Sequence, residues 1–254
     1  FGGTVVKALI ETSKIGWGVV LNRENGRFLH AFRTGFDNLI TGWTDSGGPI
    51  FNPALIPTMD DVDSDRVFEV CPHFHGTRNL NAPSYSPETG LYYLGINNSC
   101  MDVTFISEDY QPGRIYRGMA SRVKSVPGYD YVGEFVAFDP LTGRRAWEYR
   151  SPGGVAMTAS ALATAGGVVF GGTADRRLFA VDAETGDLLW ETRLNGDVSG
   201  APVTFEVDGR QYLAVGAGGR IAQTTSFARF TDTNIPQGSG VMWVFALPDS
   251  VGGQ

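Results

Sequence analysis

Two stretches of this chain are built to one plan, and that repetition limits the fold more than any other feature. Val136–Trp147 reads V-A-F-D-P-L-T-G-R-R-A-W, and Phe179–Trp190 reads F-A-V-D-A-E-T-G-D-L-L-W. Ala137, Asp139, Thr142, Gly143 and Trp147 match Ala180, Asp182, Thr185, Gly186 and Trp190 at a constant offset of 43 residues. The residue types explain the unit. A strand ends at the Asp, whose side chain can bond the backbone just downstream, and the Gly takes φ > 0 in the turn. A second strand follows, and its Trp can pack flat and donate its N–H to a carbonyl. Asn22, Asn25-Gly26 and His30 fit the same spacing loosely, as a degenerate third copy. A period of about 40–45 residues suits one four-stranded propeller blade.

The rest of the sequence agrees with a chain made of short strands. Glycine (34) and proline (13) are abundant and charged residues make up only 19% of the 254, so long amphipathic helices are hard to place. The pattern predicts strands over Thr4–Ile10, Trp17–Leu21, Val67–Cys71, Leu91–Ile96, Gly200–Phe205, Tyr212–Ala217 and Val241–Leu247, with a Gly-rich strand pair in Ala161–Thr173. Asp208-Gly209 is a hairpin turn signal. Residues Phe36–Arg66 and Val103–Tyr131 read as irregular, and the acidic run Asp60–Asp65 reads as a solvated surface rather than a metal site. Arg220–Gly240 reads as a long polar loop, and loops of that length in a compact domain are usually functional. A net charge of −7 without any basic stripe argues against nucleic acid. No apolar run approaches the ~18–20 residues of a membrane span. Two cysteines do not make a disulfide-rich scaffold.

With these residues in view, the paired A-x-D-x-x-T-G-x-x-x-W units are similar to the tryptophan-docking motifs of the quinoprotein alcohol dehydrogenases. Other stretches narrow the resemblance. Lys14-Ile15-Gly16-Trp17 followed by Asn22-Arg23-Glu24-Asn25-Gly26 resembles that family's basic residue, strand and turn. So do Cys71-Pro72 with Asn79, then Tyr85–Gly90, then Asn97–Asp102, and also Ala165–Asp175, Ala201–Phe205 and Asp208–Tyr212. The resemblance covers nearly the whole chain. It implies an all-β fold, part of an eight-bladed propeller, with residues 1–254 as the C-terminal part of one domain. The family's catalytic Asp and metal ligands would then lie upstream, in an N-terminal half of the same propeller that this chain does not include.

The resemblance also implies roles. Lys14 falls where the family sets a cation against the quinone oxygens of pyrroloquinoline quinone (PQQ); read alone, it is a surface lysine. Asn79 falls at a cofactor-binding amide, with Asn81 as an alternative and loop bracing as the plain reading. Met157 and Thr158 fall where the family stacks an indole under the cofactor, and this chain has no Trp in that stretch; a core Met is the plain reading. Gly218-Gly219-Arg220 stands where Gly-Gly-Trp is common, which places Gly219 and Arg220 near cofactor and substrate. His73 and His75 are too few for a structural zinc site; they line a substrate mouth or are ordinary loop histidines. Cys71 and Cys100 are expected to form a disulfide, in keeping with an oxidising periplasm.

The expected activity is oxidation of an alcohol, polyhydroxylated or otherwise bulky and polar, by hydride transfer to PQQ held with Ca2+ or a lanthanide. Electrons would pass to a separate soluble cytochrome c-like or quinone acceptor, since no C-x-x-C-H haem-attachment motif occurs. The other reading is a non-catalytic propeller that serves as a periplasmic assembly platform.

Overall fold

A computed structural model describes residues 3–219, 227 and 239–247. Nearly every regular element in it is a short antiparallel strand. In chain order, β1 (Ala8–Thr12), β2 (Trp17–Asn22) and β3 (Phe28–Arg33) make a three-stranded meander, and β4 (Ile40–Trp43) pairs with β5 (Pro49–Phe51) in a small hairpin. The strands β6 (Phe68–Val70), β7 (Ser84–Ser86), β8 (Leu91–Asn97), β9 (Cys100–Phe105), β10 (Met119–Lys124), β11 (Gly133–Phe138) and β12 (Arg145–Tyr149) sort into two sheets. Their orders are β10-β9-β6 and β12-β11-β8-β7. Next come a four-stranded sheet of β13 (Leu162–Ala163), β14 (Val168–Gly172), β15 (Arg177–Asp182) and β16 (Leu188–Arg193), and a last meander of β17 (Val203–Val207), β18 (Arg210–Ala217) and β19 (Val241–Ala246).

The chain divides into two compact units. The first comprises Phe1–Asn79, Asn97–Asp130 and Leu141–Gly143; the second comprises Leu80–Ile96, Tyr131–Pro140 and Arg144–Gln254. The first unit has a small core around Phe68, Met101 and Val103, and a second cluster in which Val126 packs on the Cys71–Cys100 disulfide. The expected cross-link is therefore present in the structure. The second unit has a larger core of Tyr93, Phe135, Trp147, Met157, Val169, Phe179 and Val181, and another around Leu178, Val198, Leu213 and Val215.

All three copies of the repeat are visible in the strand register. Val20 faces His30, Ala137 faces Trp147 and Ala180 faces Trp190, and a β-bulge follows the first residue of each pair. A bulge inserts one residue and bends the strand, so the anchor position is re-aimed in the same way each time. The turn glycines Gly26, Gly143 and Gly186 have φ of 74°, 70° and 78°. In the second unit the Trp147 indole is held at two points. Its Nε1–H donates to the Ala183 carbonyl at 3.0 Å, and a Cβ on Gly186 would lie 2.7 Å from the ring.

Several sequence expectations need correcting. The first strand starts at Ala8 rather than Thr4, and the irregular stretches contain β4, β5 and β10. The end of β8 and the start of β9 are separated by only Asn98 and Ser99, so the polar run Asn97–Asp102 is a tight strand connection. Nor is the acidic run simply solvated. Asp61 is 5% exposed; it caps a 3-10 turn by accepting from the Thr58 N–H at 2.7 Å, and it pairs with Arg66 at 2.9 Å. Asp63 takes a positive φ and accepts from the Ser107 N–H at 2.9 Å. Carboxylates used in this way brace loop backbone that carries no sheet bonds of its own.

Candidate functional site

In the first unit, Lys14 sits in the four-residue turn between β1 and β2. Every side of that turn is tied down. The Thr77 N–H donates to the Lys14 carbonyl at 3.0 Å. Gly16, at φ 77°, offers its carbonyl to the N–H groups of Thr34 (2.8 Å) and Gly35 (3.2 Å). The Arg78 guanidinium donates to the Thr12 carbonyl. Gly76 lies directly under the lysine stem: a Cβ there would fall 2.3 Å from Lys14 Cα, 2.4 Å from its Cβ and 2.7 Å from its Cγ. The methyl of Thr77 fills the groove between Gly16 and Gly35, where added Cβ atoms would meet it at 3.3 and 2.8 Å.

Behind this turn is a buried carboxylate, Asp37, that no sequence pattern singles out. Asp37 accepts from the Trp17 indole N–H at 2.8 Å, the Arg33 guanidinium at 3.2 Å and the Leu39 N–H at 2.9 Å. Arg33 also lies over the Trp17 ring, 4.6 Å from its centroid. A paired and multiply hydrogen-bonded buried carboxylate is rigid, because breaking any one partnership would leave it undersatisfied.

Lys14 itself is exposed, and among the described residues no carboxylate lies within ion-pair distance of its ammonium. Its charge is felt nearby. Burial holds the His75 imidazole below its ordinary value, and the positive charges of Lys14 and Arg117 push the same way. Asn79 donates its amide N–H to the His75 carbonyl at 3.3 Å. His73 is 3% exposed; its ring nitrogen Nδ1 accepts from the His75 N–H at 3.3 Å, and its ring lies tilted against Phe74, 4.0 Å between centroids. His73 is thus held within its own loop. His75 is only part-buried.

In the second unit, Met157 is 1% exposed within the main core, and Thr158 donates its hydroxyl to the Val198 carbonyl at 2.8 Å. Both side chains are engaged within the second unit. Asn81 likewise braces β8 by donating to the Gly95 carbonyl at 2.9 Å. Gly218 and Gly219 have φ of 89° and 90°. Gly218 is hemmed in by the Ser239 carbonyl, 2.3 Å from where its Cβ would be, whereas among the described residues nothing lies within 4 Å of where a Cβ on Gly219 would be, and Gly219 is exposed. Arg220 and the polar loop after it lie outside the described residues.

Among the described residues no group of three or more His, Cys, Asp or Glu is arranged to hold a metal ion, and no helix is long and apolar enough to cross a membrane. In the first unit the structure presents an exposed ammonium whose stem is seated on a glycine, and among the described residues no carboxylate lies within ion-pair distance of it. That chemistry suits an oxygen-rich, electron-accepting or anionic ligand, and on this observation the residues present fit PQQ.

Repeated antiparallel sheets with this turn-and-anchor unit define a β-propeller domain of the quinoprotein type. Residues 149–213 match the family described as PQQ glucose/ethanol/alcohol dehydrogenase, beta-propeller domain. The chain is 34% identical to quinoprotein alcohol dehydrogenase PedH of Pseudomonas putida, over 97% of this chain and 42% of that protein. It is also 34% identical to the quinoprotein ethanol dehydrogenase of Pseudomonas aeruginosa, over 97% of this chain and 40% of that one. A solved europium-containing methanol dehydrogenase superposes with a TM-score of 0.87 at 27% identity, covering 97% of this chain and 46% of its own. Over the length it has, the chain belongs to the quinoprotein alcohol dehydrogenase family. It spans about two fifths of the length of the curated relatives it matches.

Proposed function

We propose that the protein takes part in PQQ-dependent oxidation of an alcohol, and that this chain contributes the cation facing the cofactor's quinone oxygens. The observation that carries the reading is Lys14, an exposed ammonium on a rigid turn with no carboxylate in ion-pair distance among the described residues. A charge held in place before reaction stabilises developing negative charge without reorganisation. Bound PQQ would supply the two-electron acceptor, so that the alcohol carbon gives up a hydride and the alcohol oxygen a proton. Lys14 would offset negative charge on the acceptor oxygens, and Asn79 would offer a neutral hydrogen bond to the same ligand. The base that receives the proton and the ligands for Ca2+ or a lanthanide would come from residues outside this chain.

The substrate is proposed to be a polyhydroxylated or bulky polar alcohol. Support comes from sequence: where relatives with a tight pocket offer an indole after Gly-Gly, this chain has Arg220, followed by Gln223, Thr224, Thr225, Ser226 and Arg229. A site built to hydrogen-bond rejects analogues that lack hydroxyls. The relatives carry names for small alcohols, ethanol and 1-butanol among them, so these must be in the test panel. Electron transfer to a separate cytochrome c-like or quinone acceptor, and a periplasmic location, complete the proposal. One relative is described as a 1-butanol dehydrogenase (cytochrome c) and another as a 1-butanol dehydrogenase (quinone).

The test is a dye-linked assay of the complete polypeptide loaded with PQQ and Ca2+ or a lanthanide, with methanol, ethanol, 1-butanol, sugars and polyols. Lys14→Ala should lower kcat and kcat/KM together. An unchanged kcat in Lys14→Ala would remove the cation's role, and a preference for methanol or ethanol would remove the polar-substrate reading.

A further inference from the structure

Gly76 and Thr77 touch the Lys14 turn more closely than any feature the sequence marked. We propose that these two residues are positioning residues for Lys14: they form the seat that aims its ammonium at the cofactor. The inference rests on the reading of Lys14 given above and extends it to residues that do not themselves touch the ligand.

Three observations carry it. First, Gly76 at φ 78° leaves no room for a side chain, because the stem of Lys14 occupies that space from Cα through Cγ at 2.3–2.7 Å. The lysine therefore leaves the turn over a flat piece of backbone, which limits its first side-chain torsions to those that clear the glycine. Second, Thr77 fixes the height of the turn. Its N–H holds the Lys14 carbonyl at 3.0 Å, and its own carbonyl is held by the Asn97 N–H at 2.7 Å. Third, the Thr77 side chain is fully buried, with its methyl against the positions of Gly16 and Gly35. Removing that methyl would let the turn settle toward the vacated space. A flexible four-carbon cation benefits most from such a seat, since otherwise its rotamer entropy must be given up when the ligand binds.

The experiment is a double-mutant cycle on the complete apo-protein. Binding of PQQ, in the presence of Ca2+ or a lanthanide, is followed by quenching of tryptophan fluorescence, and dye-linked kcat and KM are read beside it. Gly76→Ala should weaken PQQ binding by about tenfold in the wild-type background, within the range that coupled neighbours show, and by less than about twofold when Lys14 is already alanine. Thr77→Ser should show the same pattern at smaller size, and Thr77→Val, which keeps the methyl, should retain most of the affinity. If Gly76→Ala fails to fold, the Thr77 pair carries the cycle alone. Equal losses in both backgrounds, or no loss in either, would overturn the seat while leaving Lys14 its role. An unchanged PQQ affinity in Lys14→Ala would instead overturn the reading on which the seat depends.

Discussion

The copies of the repeat at Val20–His30 and Ala180–Trp190 share a backbone and differ in what it carries. In both, the anchor position faces the residue just before a bulge. In both, the turn glycine donates its N–H to the residue that opens the turn, Gly26 to the Asn22 carbonyl at 2.8 Å and Gly186 to the Asp182 carbonyl at 2.9 Å. A side-chain oxygen caps the backbone in each: Asn22 accepts from the Glu24 N–H at 2.9 Å, and Asp182 from Glu184 at 2.8 Å and Thr185 at 3.0 Å. The surroundings differ. Gly186 is covered by the Trp147 ring, whereas among the described residues nothing lies within 4 Å of where a Cβ on Gly26 would be. In the first copy the anchor is His30, and the ring that covers a turn glycine has moved two residues on, to Phe32 on the same strand face. A Cβ on Gly143 would fall 2.3 Å from Phe32 Cβ. Turn chemistry therefore sets the register, and the aromatic ring separately sets what docks on the turn.

That division can be broken most directly at the indole. Trp147→Ala should cost about 3–5 kcal/mol in a urea or thermal melt, since it empties a core position and removes the donor to Ala183. Trp147→Phe should cost about 1 kcal/mol, because the Ala183 carbonyl keeps the Tyr93 hydroxyl at 3.1 Å. His30→Ala should fall at or below about 1 kcal/mol. Equal losses at Trp147 and His30 would mean that the two anchors do the same work.

The cross-link comes next in size. Reduction of Cys71–Cys100 should cost about 3 kcal/mol, and thiol titration of the unreduced, denatured protein should find no free thiol. The loss should be the same within about 0.5 kcal/mol when Trp147 is already alanine, because the disulfide and the indole belong to separate core clusters and residues that share no partner add. A large departure would show that the two anchors are coupled.

The two glycines give a narrower contrast. Gly26→Ala and Gly186→Ala both force a side chain to a positive φ, at about 1 kcal/mol each. Only Gly186→Ala also drives a methyl into an indole, so it should exceed Gly26→Ala by about 1–3 kcal/mol. On a Trp147→Ala background the excess should vanish. Its persistence would mean that something other than the ring crowds Gly186.

The same contrast shows what a single sequence can and cannot reveal. The repeat, its turns and the Trp147 anchor were legible because each rests on local chemistry: an Asx cap, a glycine at positive φ, a ring at fixed spacing. The edge strands β4, β5 and β10 were not, because their short sequences lack alternation and are held by a partner strand that no local pattern names. At the site, Lys14 came from resemblance, while Gly76, Thr77 and Asp37 were missed. A glycine needed for close approach reads like any loop glycine, and Asp37 acquires its donors only when Trp17, Arg33 and the following backbone converge. Burial was not legible either: nothing local in the sequence says that Met157 and His73 are 1% and 3% exposed.

The smallest effect separates the two copies by charge alone. The Thr185 and Glu184 N–H groups hold the Asp182 carboxyl below its ordinary value, chiefly through the bond from Thr185. A group whose folded pKa is depressed contributes stability above its unfolded pKa, about 3.9 for Asp, and loses it as the pH falls through the lower folded value. Asn22 makes the corresponding cap with an oxygen that does not titrate. Asp182→Asn keeps the acceptor and gives up the charge, so it should weaken the protein slightly at neutral pH and flatten the acid limb of its stability curve. Asn22→Asp should do the reverse and steepen that limb. Urea midpoints taken from about pH 6 down to about pH 2 decide the matter. Wild type and Asp182→Asn falling in parallel over that range would show that the cap's ionisation contributes nothing, and that the two copies are equivalent in charge as well as in backbone.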